Sequence, residues 1–226
     1  MDIIQEPPAA IPVIHKTDIC VIGGSCTGVF AAVRAAQSGA SVALVEDNGY
    51  FGGTATAGLV NIWHSLYNTT RDRQIIAGLT AETVERLQRH GSISFDDNCE
   101  QSPIKFNSAE LVLLLDEMVR ENKKILPFLH TRFCKPIVDE DGQLTHAVIE
   151  DKSGRRAIRA RYFIDATGDG DVLSRSGLPF REAHKALQPP TVCGIFTNIS
   201  RLKEKNPGFT LNKAVFNPEF ENALKK

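Results

Sequence analysis

A glycine-rich turn and one acidic residue downstream of it form the pattern in this sequence with the clearest chemical meaning. The turn reads Gly-Gly-Ser-Cys-Thr-Gly over residues 23–28, and Glu46 lies 23 residues beyond Gly23. Such a turn presents backbone N–H groups and the positive end of a helix dipole to the phosphates of a nucleotide. An acid about 20 residues after the first glycine is placed to bind ribose hydroxyls. The spacing therefore predicts a dinucleotide site.

The turn departs from the usual Gly-x-Gly-x-x-Gly pattern at its middle position, where Ser25 replaces a glycine. Serine places a side chain where close approach of the backbone is wanted, although its hydroxyl can itself reach a phosphate. The alternative is a plain strand-to-helix turn with Glu46 as a surface acid. The elements on either side of the turn favour the nucleotide interpretation.

These flanking elements form a complete β–α–β unit. Residues 17–22 (TDICVI) are typical of a buried parallel strand. Residues 29–37 are rich in alanine and predict a helix that Gly39 ends. Residues 41–45 (SVALV) predict a second buried strand, which ends at Glu46. The unit spans about 30 residues, the usual size for this motif.

The rest of the chain mixes helices with short strands. Residues 78–89 and 108–121 predict helices, the second with Ser108 as its N-cap, whereas residues 59–76 give no clear element. The other expected elements are a loop over 100–107, antiparallel strands over 125–138, 143–150 and 155–161, a buried strand over 162–165, a helix near Asp171 that Gly177 ends, and a strand over 191–199. We therefore expect an α/β, Rossmann-like, three-layer fold with a parallel central sheet and an antiparallel β-meander.

The loop after Glu46 carries further residues suited to a ligand. Residues 49–59 read GYFGGTATAGL. Gly52 and Gly53 let the backbone come close to a ligand, and the hydroxyls of Thr54 and Thr56 can bond phosphate or sugar.

A second such segment, residues 154–172, reads GRRAIRARYFIDATGDGDV. Gly168 directly follows a buried strand, at the edge of the sheet where open α/β folds bind ligands, and is expected to pack its backbone against adenosine or pyrophosphate. Asp169 and Asp171 either contact the ligand or cap the next helix, and the sequence leaves both options open.

With these two motifs, residues 17 to about 200 resemble a family of FAD-dependent oxidoreductases related to the flavin subunit of heterodisulfide reductase. The resemblance implies an FAD/NAD(P)-binding fold whose first β–α–β unit carries the ADP half of FAD. It also implies longer family members, so we expect this chain to lack most of a substrate domain and the second half of a flavin site. The expected cofactor-binding residues are Gly23, Gly24, Ser25, Cys26, Thr27, Gly28, Glu46, Asp47, Gly52, Gly53, Thr54, Thr56, Ala166, Thr167, Gly168 and Asp169.

No residue is assigned a catalytic role, because a bound flavin supplies its own redox chemistry. Cys26 lies at a helix N-terminus, which lowers a thiol pKa, but a neighbouring pyrophosphate would oppose this effect, and packing is the favoured role. His64 lies near the isoalloxazine or is a structural histidine. Arg71 and Arg73 are solvated loop charges or substrate contacts.

The composition excludes several classes. The chain of 226 residues has 42% hydrophobic and 23% charged residues and a net charge of −1, which argues against nucleic-acid binding. No apolar run reaches the roughly 18 residues of a membrane span, and residues 1–16 lack the features of a secretory signal, so we expect a cytoplasmic protein without membrane contact. The sequence has five cysteines, an odd number, and no two of them show C-x-x-C spacing. We therefore expect no metal site, iron–sulfur cluster or disulfide framework.

Three domains are expected: an irregular leader over 1–16, an FAD-binding domain over 17–188, with inserted helices at about 77–122 and the meander at about 125–161, and the start of a truncated substrate domain over 189–226. The function expected is an FAD-dependent oxidoreductase acting on an unknown small molecule, with a second copy or a partner subunit supplying the missing half. The alternatives are an NAD-binding protein, a non-catalytic remnant or interaction module, and a flavoprotein whose iron–sulfur ligands come from another subunit.

Overall fold

The computed structural model describes residues 2–5, 7–95, 103–181, 190–195, 197, 199–205 and 207–208. Contacts divide the chain into two units, Met1–Pro189 and Pro190–Lys226. The strands are β1 (Val13–Ile22), β2 (Val42–Val45), β3 (Ile62–Trp63), β4 (Ile93–Phe95), β5 (Ile104–Phe106), β6 (Ile125–Phe128), β7 (Arg132–Val138), β8 (Leu144–Asp151) and β9 (Gly154–Asp165). The helices are α1 (Cys26–Gln37), α2 (Leu79–Arg89), α3 (Ser108–Glu121), α4 (Asp171–Arg175) and α5 (Ile199–Lys205).

The first unit is built on a six-stranded sheet with the order β6-β2-β1-β9-β8-β7. β6, β2, β1 and β9 run parallel, and β8 and β7 continue the sheet antiparallel. The expected parallel central sheet and meander are therefore confirmed. β1 begins at Val13, where the sequence predicted an irregular leader, because residues 13–16 pair with the first half of β9.

α1 confirms the helix expected after the glycine turn, but it begins at Cys26, three residues earlier than predicted. Its buried face consists mainly of small residues, which allow close packing on the sheet: Gly28, Val29, Ala32, Val33 and Ala36. The helix ends at Gln37 with Ser38 as its C-cap, and Gly39 follows with a φ of +101°. This is the left-handed conformation that glycine adopts most readily after a helix.

Alternating residues of β1 and β2 divide the interior into two layers. Val21 and Leu44 face α1 and α3 in one buried cluster. Ile22 and Val45 face the opposite way, against a second cluster that includes Phe133 and other meander residues. α1 and α3 therefore cover one face of the sheet, and on the opposite face the side chains of β1 and β2 cluster with those of β7, β8, β9 and α4.

The segment over 125–138, expected as one strand, is two strands with different partners. β6 lies parallel to β2 at one edge of the sheet, with Ile125 opposite Val42. β7 pairs antiparallel with β8 at the other edge. His130, with a φ of +49°, lies in the connection between them. Conversely, the segments expected at 155–161 and 162–165 are one continuous strand, β9, because it pairs with β8 on one side and β1 on the other.

The inserted region contains α2, α3 and a small antiparallel sheet with the order β3-β5-β4. β5 lies where a loop was expected over 100–107, and residues 100–102 of that loop are outside the described residues. The N-cap of α3 is Asn107, whose side chain accepts a hydrogen bond from the Ala109 N–H at 2.9 Å. The predicted cap, Ser108, instead donates its hydroxyl to the Ala55 carbonyl at 2.9 Å.

In the second unit the described part begins at residue 190 and contains α5. The strand predicted over 191–199 is wrong for the residues the structure describes there: residues 191–195 and 197 have no strand pairing, and Ile199 begins α5. Residues 196 and 198 of that prediction lie outside the described residues. Among the helices of the described ranges, none has the length and apolar character needed to cross a membrane.

Candidate dinucleotide-binding site

A cleft of about 740 Å³ lies at the carboxyl ends of β1, β2 and β9. It brings together residues from all the segments that the sequence marked: Gly23, Ser25, Cys26, Thr27, Glu46, Asp47, Gly52, Gly53, Thr54, Ala166, Thr167 and Gly168. Gly24, Gly28 and Thr56 are buried and do not line this cleft, and Asp169 is exposed outside it. The carboxyl edge of a parallel sheet is where folds of this type bind ligands.

At two positions of the glycine turn an added side chain would collide with backbone atoms. Gly23 has a φ of +102°, and a Cβ there would lie 2.3 Å from the carbonyl oxygen of Ala166. A Cβ on Gly28 would lie 1.7 Å from the carbonyl oxygen of Gly23. The first glycine therefore lets β1 turn beside the end of β9, and the last lets α1 begin directly against the turn.

Ser25 occupies the N-cap position of α1, and its side chain makes no capping hydrogen bond. Ser25, Cys26 and Thr27 all line the cleft, so the first turn of α1 faces the space where a phosphate would lie. The turn is joined to the second glycine loop, because the Gly52 N–H donates to the Gly24 carbonyl at 2.9 Å. Ser25 and Gly52 also form an isolated parallel bridge.

Glu46, directly after β2, is only 6% exposed, and both of its carboxylate oxygens are bonded to the loops around it. Oε2 accepts the Gly24 N–H at 2.7 Å. Oε1 accepts both the backbone N–H and the side-chain amide of Asn48, each at 2.7 Å. Glu46 is therefore not a surface acid, and its bonds link the glycine turn to the loop after β2. An ionised carboxylate has about four acceptor directions, so it can also accept from a ligand hydroxyl.

Asp47 and Arg132 form an ion pair at the rim of the cleft. The Arg132 guanidinium lies 2.8 Å from Asp47 Oδ2, and both side chains are mostly exposed. The sequence marked Asp47 but not Arg132, because the two residues are 85 positions apart. An exposed pair of this kind contributes little to stability and mainly sets the local charge.

The second glycine loop turns through a short 3-10 helix over Gly53–Ala55. Thr54 is exposed and lines the cleft, and its bond to a ligand stays a prediction. Thr56 is 4% exposed, and its hydroxyl donates to the Phe51 carbonyl at 2.8 Å. The ligand contact expected from Thr56 is therefore corrected to a structural role, because its donor is used inside the loop.

Asp165, which the sequence reasoning missed, organises the loop after β9. Its Oδ1 accepts the hydroxyl and the backbone N–H of Thr167, at 2.7 and 3.2 Å. Its Oδ2 accepts the N–H groups of Val172 and Leu173 in the first turn of α4, at 2.9 and 3.1 Å. Burial, the largest single influence, raises the pKa of Asp165, but the hydrogen bonds from Thr167, Leu173 and Val172 together outweigh it and leave the pKa below its usual value.

Of the two options left open for Asp169 and Asp171, this arrangement contradicts the one in which they cap the next helix. Gly170 occupies the N-cap position of α4 without a side-chain bond, and Asp165 satisfies the helix N–H groups from the preceding strand. Asp171 instead forms an ion pair with Arg175 at 2.8 Å. Gly168 has a φ of +87°, and a Cβ there would meet no protein atom within 4 Å. Its predicted contact with a ligand stays a prediction.

Replacing Asp165 with alanine should lower the free energy of unfolding by about 1–2 kcal/mol at neutral pH, as is typical when a helix cap is lost. The pKa of Asp165 is lowered by folding, so its stabilisation is present above the unfolded pKa and is lost as the pH falls through the folded value. The difference between the two proteins in urea denaturation should therefore shrink as the pH falls below about 4. Asp169→Ala, an exposed aspartate on the same loop, is the control, and an equal effect there would contradict the assignment.

Cys26 behaves as a packing residue. Burial raises the pKa of its thiol to about 11, in spite of its position at the start of α1. The thiol lies 3.8 Å from the Gly52 carbonyl and donates to it. A thiol with this pKa is protonated near neutral pH and is a poor nucleophile, so the favoured role predicted from the sequence fits the geometry.

The cleft has an apolar wall that the sequence reasoning did not assign. Val60, Ile62 and Trp63 line it, and the Trp63 ring packs on Phe106 with a centroid distance of 4.7 Å. These residues come from the stretch over 59–76 that gave no clear element, and the single tryptophan was the available signal. His64, Arg71 and Arg73 are exposed and do not line this cleft.

Within the described residues, no three His, Cys, Asp or Glu side chains are grouped as a metal ion would require. Arg132 and Arg175 contribute positive charge to the wall of the cleft. Arg175 lies 5.7 Å above the Phe133 ring and donates to the Cys134 carbonyl at 2.8 Å, which fastens α4 to β7.

The parallel sheet, the glycine turn and the buried acid after β2 define a Rossmann-type dinucleotide-binding fold. A family model described as FAD dependent oxidoreductase matches residues 18–223. The chain therefore belongs to the FAD dependent oxidoreductase family, and the family supports FAD as its cofactor. No curated protein matches the sequence significantly.

Two solved structures with TM-scores of 0.51 share this fold. A geranylgeranyl bacteriochlorophyll reductase-like protein from Thermoplasma acidophilum is 16% identical with a TM-score of 0.51, and the match covers 73% of this chain and 42% of that one. The p-nitrophenol 4-monooxygenase PnpA from Pseudomonas putida is 12% identical with a TM-score of 0.51, covering 74% and 45%. THI4 from Thermovibrio ammonificans is 20% identical with a TM-score of 0.49, covering 71% and 61%. This chain thus spans less than two thirds of the length of each.

Proposed function

We propose that this chain binds the ADP half of FAD in the cleft at the end of β1 and is the FAD-binding part of an oxidoreductase that acts on a small molecule. The observation that carries the proposal is the buried Glu46 carboxylate beside the Gly23–Gly28 turn, in a cleft of about 740 Å³. An acid for the ribose and open N–H groups for the pyrophosphate are the two features that an ADP moiety requires.

Each part of the cleft has a distinct role in this proposal. The first turn of α1 faces the pyrophosphate, and Glu46 accepts from the ribose. Thr54 offers a hydroxyl from the second glycine loop. The apolar wall that includes Ile62 and Trp63 excludes water from one side. A bound flavin would supply the electron transfer itself, and the protein would supply binding, orientation and electrostatics.

Three finer proposals accompany this one. The motifs over 49–59 and 154–172 support a relation to the flavin subunit of heterodisulfide reductase. The cysteine spacing supports a chain that holds no iron–sulfur cluster of its own. The third proposal is that a second copy or a partner subunit completes the flavin site.

The test is to add FAD to the purified chain, remove the unbound flavin and record the absorbance spectrum. We expect flavin to be retained, ADP to compete with it, and FMN, which lacks the adenosine part, not to compete. Circular dichroism checks that the sample is folded. A folded chain that retains no FAD but binds NAD would support the NAD-binding alternative, and one that binds neither would support the non-catalytic remnant.

A further inference from the structure

Asn48 determines which oxygen of the Glu46 carboxylate can accept a further hydrogen bond from a ligand. Its backbone N–H and its side-chain Nδ2–H both donate to Glu46 Oε1, each at 2.7 Å. Oε2 accepts only the Gly24 N–H, at 2.7 Å, among the bonds found in the described residues. Each carboxylate oxygen has about two acceptor directions, so Oε1 is fully used and Oε2 retains one.

We infer that Asn48 is a positioning residue that fixes the rotamer of Glu46 and presents Oε2 to a ribose hydroxyl. This inference rests on the proposed function and deepens it, because it names the residue that makes Glu46 an effective ribose acceptor. Asn48 itself lines the cleft.

The loop around Asn48 is built to hold it in place. The His130 N–H donates to the Asn48 carbonyl at 3.0 Å, and the Thr131 N–H donates to the Glu46 carbonyl at 2.9 Å. The neighbouring Asp47 carboxylate pairs with Arg132 and is not among the acceptors that Asn48 uses. Asn48 is exposed, so these hydrogen bonds rather than burial fix its position.

Glu46 depends on Asn48 because it has little access to water. At 6% exposure, a carboxylate that loses a donor cannot readily replace it with solvent. Without the Asn48 amide, the Glu46 side chain is free to turn its oxygens toward the remaining donors, including the Gly24 N–H. The oxygen presented to the ligand would then no longer be held in one direction.

The test compares Asn48→Ala with the unmodified chain, using ADP and 2′,3′-dideoxy-ADP as probes in isothermal titration calorimetry. The unmodified chain should bind ADP about tenfold more tightly than the dideoxy analogue, the value of one hydrogen bond to a charged group. In Asn48→Ala this ratio should fall to about threefold or less, with the affinity for the dideoxy analogue nearly unchanged. A general structural defect would weaken both ligands equally and leave the ratio intact.

Two further variants make the comparison sharper. Asn48→Asp keeps the side-chain size but places an acceptor against Glu46 Oε1. In this variant the ratio of the affinities for ADP and for the dideoxy analogue should therefore also fall. Asn68→Ala is the matched control, because the Asn68 amide donates to the Asp72 carboxylate at the same distance of 2.7 Å and does not line this cleft. This control should keep the ratio of the unmodified chain.

The outcomes separate the inference from the proposed function. An unchanged ratio in Asn48→Ala, or an equal loss for both ligands, overturns the positioning role while the proposed function stands. An unmodified chain that binds no ADP refutes the proposed function, and the inference is refuted with it.

Discussion

Gly28→Ala should destabilise the fold by about 3 kcal/mol and abolish the retention of FAD. The added Cβ would lie 1.7 Å from the carbonyl oxygen of Gly23 and 3.3 Å from the Cβ of Ala166. The first contact is with backbone, so a side-chain rotation cannot relieve it. α1 would have to move away from the turn, and the N–H groups that face the cleft would move with it.

Two measurements check this expectation. Urea denaturation gives the loss in the free energy of unfolding, and the absorbance spectrum after addition of FAD gives the retained flavin. Gly142→Ala is the control, because Gly142 has a φ of +78° but no atom within 4 Å of an added Cβ. It should lose only about 1 kcal/mol through backbone strain and should keep its flavin affinity. A Gly28→Ala protein no less stable than this control would show that the turn tolerates a side chain.

The importance of Gly28 was visible in the sequence because the β–α–β unit is local. Its two strands, its helix and its turn lie within 33 residues, Val13–Val45, and each has its own apolar pattern. The division of residues 125–138 into β6 and β7 was not visible. β6 pairs with Val42–Val45, about 80 positions away, and no local pattern shows that a strand has a distant parallel partner.

For the site, the sequence predicted which residues converge but not how their side chains are oriented. Residues at the carboxyl ends of parallel strands meet at one edge of the sheet, which is why Gly23, Glu46 and Ala166 converge as expected. Side-chain orientation was not predictable: Thr56 has the right chemistry for a phosphate, but its hydroxyl is bonded inside its own loop. Arg132 joins the rim only because the chain returns to it 85 residues after Asp47.

Two acids, each at the carboxyl end of a parallel strand, accept hydrogen bonds from backbone N–H groups but serve different purposes. Glu46 directly follows β2 and accepts hydrogen bonds from backbone N–H groups of the turn and of its own loop. Asp165 ends β9 and binds N–H groups of Thr167 and of the first turn of α4. Asp165 is engaged by four donors, which fits a structural role, whereas Glu46 retains an acceptor direction toward the cleft.

Glu46→Gln should weaken FAD binding by about 10- to 100-fold and lower the free energy of unfolding by about 1–3 kcal/mol. The substitution preserves size and removes only the charge and one acceptor. Whichever way the amide is oriented, its NH2 group faces a donor: the Gly24 N–H on one side or the two N–H groups of Asn48 on the other. A buried donor is then left without an acceptor, which costs more than the net value of the bond itself.

Glu85→Gln provides the matched control for this change, because Glu85 is an exposed residue of α2 that does not line this cleft. It should leave both flavin affinity and stability unchanged. FAD titration of the two variants, monitored by flavin fluorescence, gives the affinities, and urea denaturation without flavin gives the stabilities. If Glu46→Gln lost stability but bound FAD as tightly as the unmodified chain, Glu46 would serve only to join the turn to its loop. If Glu46→Gln lost affinity for FAD while Glu85→Gln did not, the Glu46 carboxylate would instead be identified as the acceptor for the ribose.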